Sequence, residues 1–276
     1  MADQPTPEER LSKFGFTLPT TSEDSVKLLI GVSVDGKVLK TAKVRPMTGK
    51  DRKAAASGRS KKSASHMASV LLQRCITDIG GQPPTLPIVK EMTEADRTHL
   101  VLEIRRQTFP GEPMQFIAQC QNEGCGSKID VSVDLDDLDL FSPEGITWQN
   151  HSACFTATDE KLGMRVTMRY LQGRDMEELS AKYSSMRRKD INPVEMVDES
   201  MLRMLVSIND EPVEAEDYEA FPSSVIDAIE AMLSVNRAGP DLEQYTRCPD
   251  CGLEVQLELN IMDFFLRGSR KKGSKR

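Results

Sequence analysis

Along the chain, apolar positions first alternate with polar ones, then fall into helical spacing, then alternate again, and the whole progression occurs twice. From Ile30 to Val44 (IGVSVDGKVLKTAKV), two β-prone runs flank Asp35-Gly36, a dipeptide suited to the tight turn of a hairpin. Cys154 to Met168 (CFTATDEKLGMRVTM) carries the same pattern with a longer turn. Each hairpin leads into a polar-Gly-basic-Asp turn, Thr48 to Asp51 and Gln172 to Asp175. The Ala-, Lys-, Glu- and Arg-rich run after each turn predicts a helix. The turn Asp would stand at its N-terminus, where a negative charge favours the dipole and an oxygen can accept from free amides.

Two further helices are predicted in each copy. Val70, Leu71, Leu72, Cys75, Ile76 and Ile79 lie at helical spacing, as do Met201, Leu202, Met204, Leu205 and Ile208. The next helix opens on Thr93-Glu-Ala-Asp96 in the first copy and Ser224-Val-Ile-Asp227 in the second, both similar to a capping box. Leu100, Val101 and Ile104, against Ile226, Ile229, Met232 and Leu233, are expected in the core. Each copy then closes on a strand, a cysteine knuckle and a second strand. Ile129, Val131, Val133 and Leu135 follow Cys125, and Leu253, Val255, Leu257, Leu259 and Ile261 follow Cys251. Strict alternation of this kind marks strands with one buried face.

The copies keep register within elements and lose it only in loops. Asp35, Val44, Gly49 and Asp51 match Asp159, Met168, Gly173 and Asp175 at an offset of 124; Cys125, Ile129, Val131 and Val133 match Cys251, Val255, Leu257 and Leu259 at 126. The expected fold is therefore α+β, an internal duplication of a hairpin, helices and knuckle. The expected boundaries are a disordered N-terminus (1–13), a first repeat (14–140), a second repeat (141–265) and a basic disordered tail (266–276).

Neither knuckle holds four thiols. Cys120 and Cys125 are separated by four residues and Cys248 and Cys251 by two, so a four-cysteine tetrahedron requires the two knuckles to meet as halves of a split zinc ribbon. One structural zinc ion per chain is expected, closing an insertion of 122 residues. Four thiolates fill the coordination shell, whereas a catalytic zinc keeps a position open for water. Cys75 reads as a small buried hydrophobe. His151 and Cys154 form an H-x-x-C pair with no further ligands nearby, so a surface histidine beside a strand cysteine is expected.

Composition narrows the class. A chain of 276 residues, 38% hydrophobic and 29% charged, is balanced like a soluble globular protein. No apolar run approaches the roughly 18 residues needed to span a bilayer, and the acidic, proline-bearing MADQPTPEER is unlike a signal peptide, so a cytoplasmic setting is expected. Cysteines there read as metal ligands rather than disulfides. No P-loop, G-x-G-x-x-G, G-x-S-x-G or H-E-x-x-H occurs, and an enzyme is not expected. Net charge is −7, yet the last ten residues carry six cations and no acid, and a second basic stretch runs from Lys43 to Lys62. A nucleic-acid-binding zinc-ribbon protein is thus the alternative reading. Neither basic run contains an aromatic for base stacking, which weakens it.

The order of a hairpin, a T-G-K-D or Q-G-R-D turn, a segment ending Ile79-Gly80-Gly81, a Thr-Glu-Ala-Asp-Arg helix start, Leu-Glu-Ile-Arg-Arg-Gln-Thr-Phe (102–109) and a cysteine-glycine knuckle resembles the baseplate hub assembly proteins of T4-like contractile-tailed bacteriophages. The resemblance spans about residues 14 to 265, including a Phe-Gly-Phe-Thr-Leu-Pro lead-in at 14–19. It implies a non-enzymatic assembly chaperone in the infected host's cytoplasm, with hub or other tail proteins as partners and no membrane or small-molecule substrate. The four-residue first knuckle and the basic tail depart from the family pattern.

Overall fold

Asp35 and Gly36 both take left-handed backbone angles (φ 48° and 76°), so the chain reverses tightly and Val26–Val34 (β1) pairs antiparallel with Lys37–Val44 (β2). The computed structural model describes residues 12–15, 24–57, 63–184, 186 and 192–259. The expected N-terminal segment up to residue 11, the lead-in from 16 to 19, the end of the basic stretch at 58–62, Ile261 and the basic tail lie outside these residues.

Thr48 caps Gly49–Ala56 (α1) in a capping box with Asp51, and Ser63 caps Ala64–Cys75 (α2). Here the structure corrects the sequence pattern. The helix ends at Cys75, and Ile76–Ile79 (β3) joins the open edge of β2, with Ala42 opposite Ile79 and Val44 opposite Ile76. Buried residues three apart satisfy both a helical stripe and this short strand, and the unpaired edge of β2 decides between them. Two elements follow: the unforeseen short helix Leu86–Glu91 (α3), and Glu94–Thr108 (α4), capped by Thr93. Met114–Gln119 (β4) and Lys128–Val133 (β5) form the first knuckle hairpin, and Leu140–Phe141 (β6) closes this half.

The same order then recurs. Thr147–Gln149 (β7), Ser152–Asp159 (β8) and Met164–Arg169 (β9) lead to Gly173–Ser184 (α5) and Pro193–Met204 (α6). Leu205–Ile208 (β10) again replaces the expected end of a helix, pairing with β9, and Glu211–Pro212 (β11) extends the sheet to the order β11-β10-β9-β8-β7. Ala215–Ala220 (α7) and Ser223–Val235 (α8) correspond to α3 and α4. Pro222, rather than Ser224, stands at the α8 N-cap and makes no side-chain cap bond, a second correction. Gly239–Pro240 (β12) pairs with β6 of the first half, and Glu243–Arg247 (β13) and Glu254–Glu258 (β14) form the second knuckle hairpin. The fold is α+β, with eight α-helices and five small sheets among the described residues.

Each half contains the same buried carboxylate clamp. Asp51, 1% exposed, receives both terminal nitrogens of Arg45, at 2.8 and 3.1 Å, and Arg74 Nε at 2.8 Å. Asp175 receives Arg169 in the same bidentate way at 2.7 and 2.8 Å, with Arg203 at 3.8 Å. In both, a strand-end arginine and a helix-end arginine converge on the carboxylate at the start of the intervening helix. Burial alone would raise Asp51, but hydrogen bonds from Arg45 and Thr48 hold it well below the usual carboxylate range; Asp175 is lowered likewise by Arg169 and the Gln172 amide.

Besides the β6–β12 pairing, the halves interlock where the starts of α4 and α5 meet. Glu94 N donates to Leu171 O at 2.8 Å, Gly173 N donates to Met92 O at 3.0 Å, and Gln172 Nε2 donates to Glu91 O at 2.8 Å. Apolar packing crosses too: Ile30 from β1 lies in the second-half core, and Leu259 lies in the first-half core. Arg97, 1% exposed, bonds Glu94, Val89 O and Ser65 O, and a Cβ placed on Gly173 would come within 2.3 Å of its Nη1. Gly49, the matching position, has nothing within 4 Å.

Two outcomes follow from these contacts. Gly173→Ala should lower the unfolding free energy by about 1–3 kcal/mol through overpacking, whereas Gly49→Ala should be neutral or slightly stabilising in denaturant titrations. Asp51→Asn should cost about 1–3 kcal/mol by removing the anion that two partly exposed guanidinium groups share. A folded-state carboxyl held below its unfolded value contributes stability that is full above about pH 4 and is lost as pH falls through the folded value. The Asp51→Asn protein should therefore show a shallower loss of stability on acidification than the parent.

Candidate metal centre

The two knuckle hairpins pack inner face to inner face. Ala118 and Ile129 of the first meet Val255 of the second, with Cys120 and Cys248 buried beside them at 3% and 2% exposure. This alignment brings four thiols from residues far apart in sequence to one point. The sulfurs of Cys120, Cys125, Cys248 and Cys251 all lie within 4.8 Å of one another. Across the hairpins, Cys120 Sγ is 3.5 Å from Cys251 Sγ and Cys125 Sγ is 3.7 Å from Cys248 Sγ.

Backbone bonds set each knuckle. Cys120 N donates to Ser127 O at 2.9 Å and Cys125 N to Asn122 O at 3.0 Å, so the four-residue spacer folds back on itself. In the second knuckle Cys248 N donates to Leu253 O at 2.8 Å and Gly252 N to Cys248 O at 2.9 Å. Ser127 links the two: its hydroxyl donates to Asp250 and lies 3.3 Å from Cys125 Sγ. Ser127, Asp250 and Asn122 went unmarked in the sequence, where only a polar residue beside each cysteine hinted at them.

Thiol spacing and donor chemistry fit a soft divalent cation. A tetrahedron of sulfurs about 2.3 Å from zinc has edges of about 3.8 Å, and the two pairs that cross between the hairpins stand near that value. Cys120 and Cys251 shift in opposite directions. Hydrogen bonding from the Leu253 backbone and then from the Asn122 side chain brings Cys251 down to about 6. Cys120 gains from the Asn122 backbone, yet burial and the three surrounding thiols push it up to about 12.

The other cysteines and histidines stand apart from this cluster. Cys75 is fully buried in the first core, where desolvation pushes its thiol up to about 12. Cys154 is buried on β8, while His151 is exposed with Nδ1 3.3 Å from Ser33 Oγ, so the H-x-x-C spacing gathers no ligand set. Among the described residues, the four knuckle cysteines are where such side chains converge closely enough for a metal.

Hydrogen bonds lower the exposed Cys251 thiol, whereas the buried Cys120 thiol is raised. Brief treatment with iodoacetamide, followed by peptide mapping, should alkylate Cys251 at least about tenfold faster than Cys120. Added zinc should protect both.

The chain matches the family model described as T4 bacteriophage base plate protein over residues 26–267. No curated protein and no solved structure matches it. The family match begins at the first residue of β1 and runs beyond the second knuckle, so it takes in both hairpin-and-helix units and all four clustered cysteines. The protein belongs to the T4 bacteriophage base plate protein family.

Proposed function

We propose that this protein is a non-enzymatic assembly factor, a chaperone for the baseplate hub of a contractile-tailed bacteriophage, acting by protein–protein binding in the cytoplasm of the infected host. The observation that carries the baseplate reading is the family match over residues 26–267. Its partners are hub or other tail proteins. The scaffold is a duplicated unit, with repeats at 14–140 and 141–265, supported by the recurring element order and the paired Arg–Asp clamps.

Cys120, Cys125, Cys248 and Cys251 would hold one structural zinc ion, which supplies a four-way thiolate cross-link between the halves. A shell filled by protein sulfur leaves no position for a substrate or a nucleophilic water, so the centre serves rigidity. Around it, this chain's own residues do the holding: Ser127 and Asp250 tie knuckle to knuckle, and the Leu253 and Ser127 carbonyls fix the cysteine backbones. A rigid platform loses less conformational entropy when it captures a partner.

Elemental analysis of the purified full chain should find one zinc per molecule. Cys248→Ser should lose it and lower the thermal midpoint, because zinc bound to the folded state stabilises that state. Affinity capture from infected cells should recover tail proteins. Recovery of nucleic acid or polymerase subunits, with no tail protein among them, would overturn the assembly reading.

A further inference from the structure

The four knuckle thiols face one another in two pairs, and both pairs run between the halves of the chain. Cys120 Sγ stands 3.5 Å from Cys251 Sγ and Cys125 Sγ 3.7 Å from Cys248 Sγ, each in hydrogen-bond geometry, so every sulfur is directed at one on the opposite hairpin. The partners are 131 and 123 residues apart in sequence. A disulfide holds its sulfurs at about 2.05 Å, so each facing pair has about 1.5 Å to close.

Access to solvent divides each pair in the same sense. Cys251 is exposed and Cys125 half-buried, whereas their facing partners Cys120 and Cys248 are both buried. A reachable sulfur thus meets a sheltered one twice over, which is the arrangement in which an oxidised thiol finds a resolving thiol before it meets a second oxidant. No other thiol competes. Cys75 is enclosed in the first core and Cys154 on β8, both buried and outside the cluster.

We infer that the cluster is an oxidation-driven lock as well as a metal site: a peroxide converts it into two crossed disulfides, Cys120–Cys251 and Cys125–Cys248, that join the halves covalently. The Cys251 sulfur attacks one peroxide oxygen, the O–O bond breaks, and a sulfenic acid forms as one water leaves. The Cys120 sulfur then attacks the sulfenic sulfur; the S–S bond forms, the S–O bond breaks, and the hydroxyl departs with the thiol proton as a second water. Cys125 and Cys248 repeat the sequence with a second peroxide. The four donors are then consumed, so a bound cation is released while the joint stays closed. The inference rests on the same four sulfurs as the zinc reading and adds that metal and disulfides replace one another, one in a reducing setting and the other in an oxidising one.

The test uses the purified full chain, its zinc content measured first, then treated with hydrogen peroxide, quenched by alkylation and digested without reduction. Mass spectrometry should find the Cys120 peptide joined to that of Cys251 and the Cys125 peptide to that of Cys248, with Cys75 and Cys154 still free. The oxidised chain should unfold about 5 °C or more above the reduced chain stripped by a chelator, a gain that dithiothreitol removes. Bonds within a knuckle, the opposite crossed pairing, or sulfinic acids in place of disulfides overturn the lock, as does an oxidised midpoint no higher than the stripped one. Crossed disulfides in a chain that carried no zinc at the start remove the zinc reading alone. Zinc at the start, followed by any of the other oxidation products, removes the lock alone.

Discussion

Two adjacent buried charges of opposite sign, Asp96 and Arg97 in the first turn of α4, set the arrangement of the elements around them. Asp96 is fully buried, and its carboxylate accepts the amides of Leu29 at 2.6 Å and Gly31 at 2.7 Å, where the β1–β2 register shifts. That irregular stretch of strand has lost its ladder partners, and the carboxylate replaces them. Arg97 spreads in the opposite direction, to carbonyls before α3 ends and within α2, with the backbone of Gly173 closing over its guanidinium. Stripping either charge of these partners would cost several kcal/mol, so β1, α2, α3 and the α5 turn are held where the charges need them.

The second half repeats the chain order without repeating this grip. Asp227, which matches Asp96 in sequence, is exposed on α8, whose N-terminus carries no side-chain cap. Among the described helices α4 is the one that reaches both cores, as β1 does among the strands: Leu100 and Ile104 belong to the first, while Ala95 packs on the second and lies against Gly239, where an added Cβ would meet Ala95 Cα at 3.3 Å. One helix start has become the axle of the molecule, and its counterpart has been left to the surface.

Much of this order was legible in the residues. The Asp35-Gly36 turn, the alternating knuckle strands and the cysteine pairs each carry a local signal, and local signals survive folding where no competing partner intervenes. The segments after Cys75 and Met204 were not legible as strands, because helical spacing and a short buried strand share residues three apart and an edge elsewhere in sequence chose the outcome. The turn aspartates were visible as helix starts. Their helix-end arginine partners were not, since Arg74 and Arg203 lie 23 and 28 residues away along the chain. At the candidate centre the cysteines were readable, while Ser127, Asp250 and Asn122 acquire their place only when the hairpins face each other.

The knuckle contact does not rest on the thiols alone. The second hairpin is anchored at its base, where Leu259 N donates to Leu242 O at 3.0 Å and the Leu259 side chain enters the first core, and along its length by Val255 against Ala118 and Ile129. Its tip is then the remaining free end, and four thiols converge there. A metal that had to assemble this geometry from an unfolded chain would lose much of its binding energy to ordering the long intervening loop. Apolar packing between the halves spans that same loop, so an ion at the thiols would add to an existing interface and resist separation of the two halves.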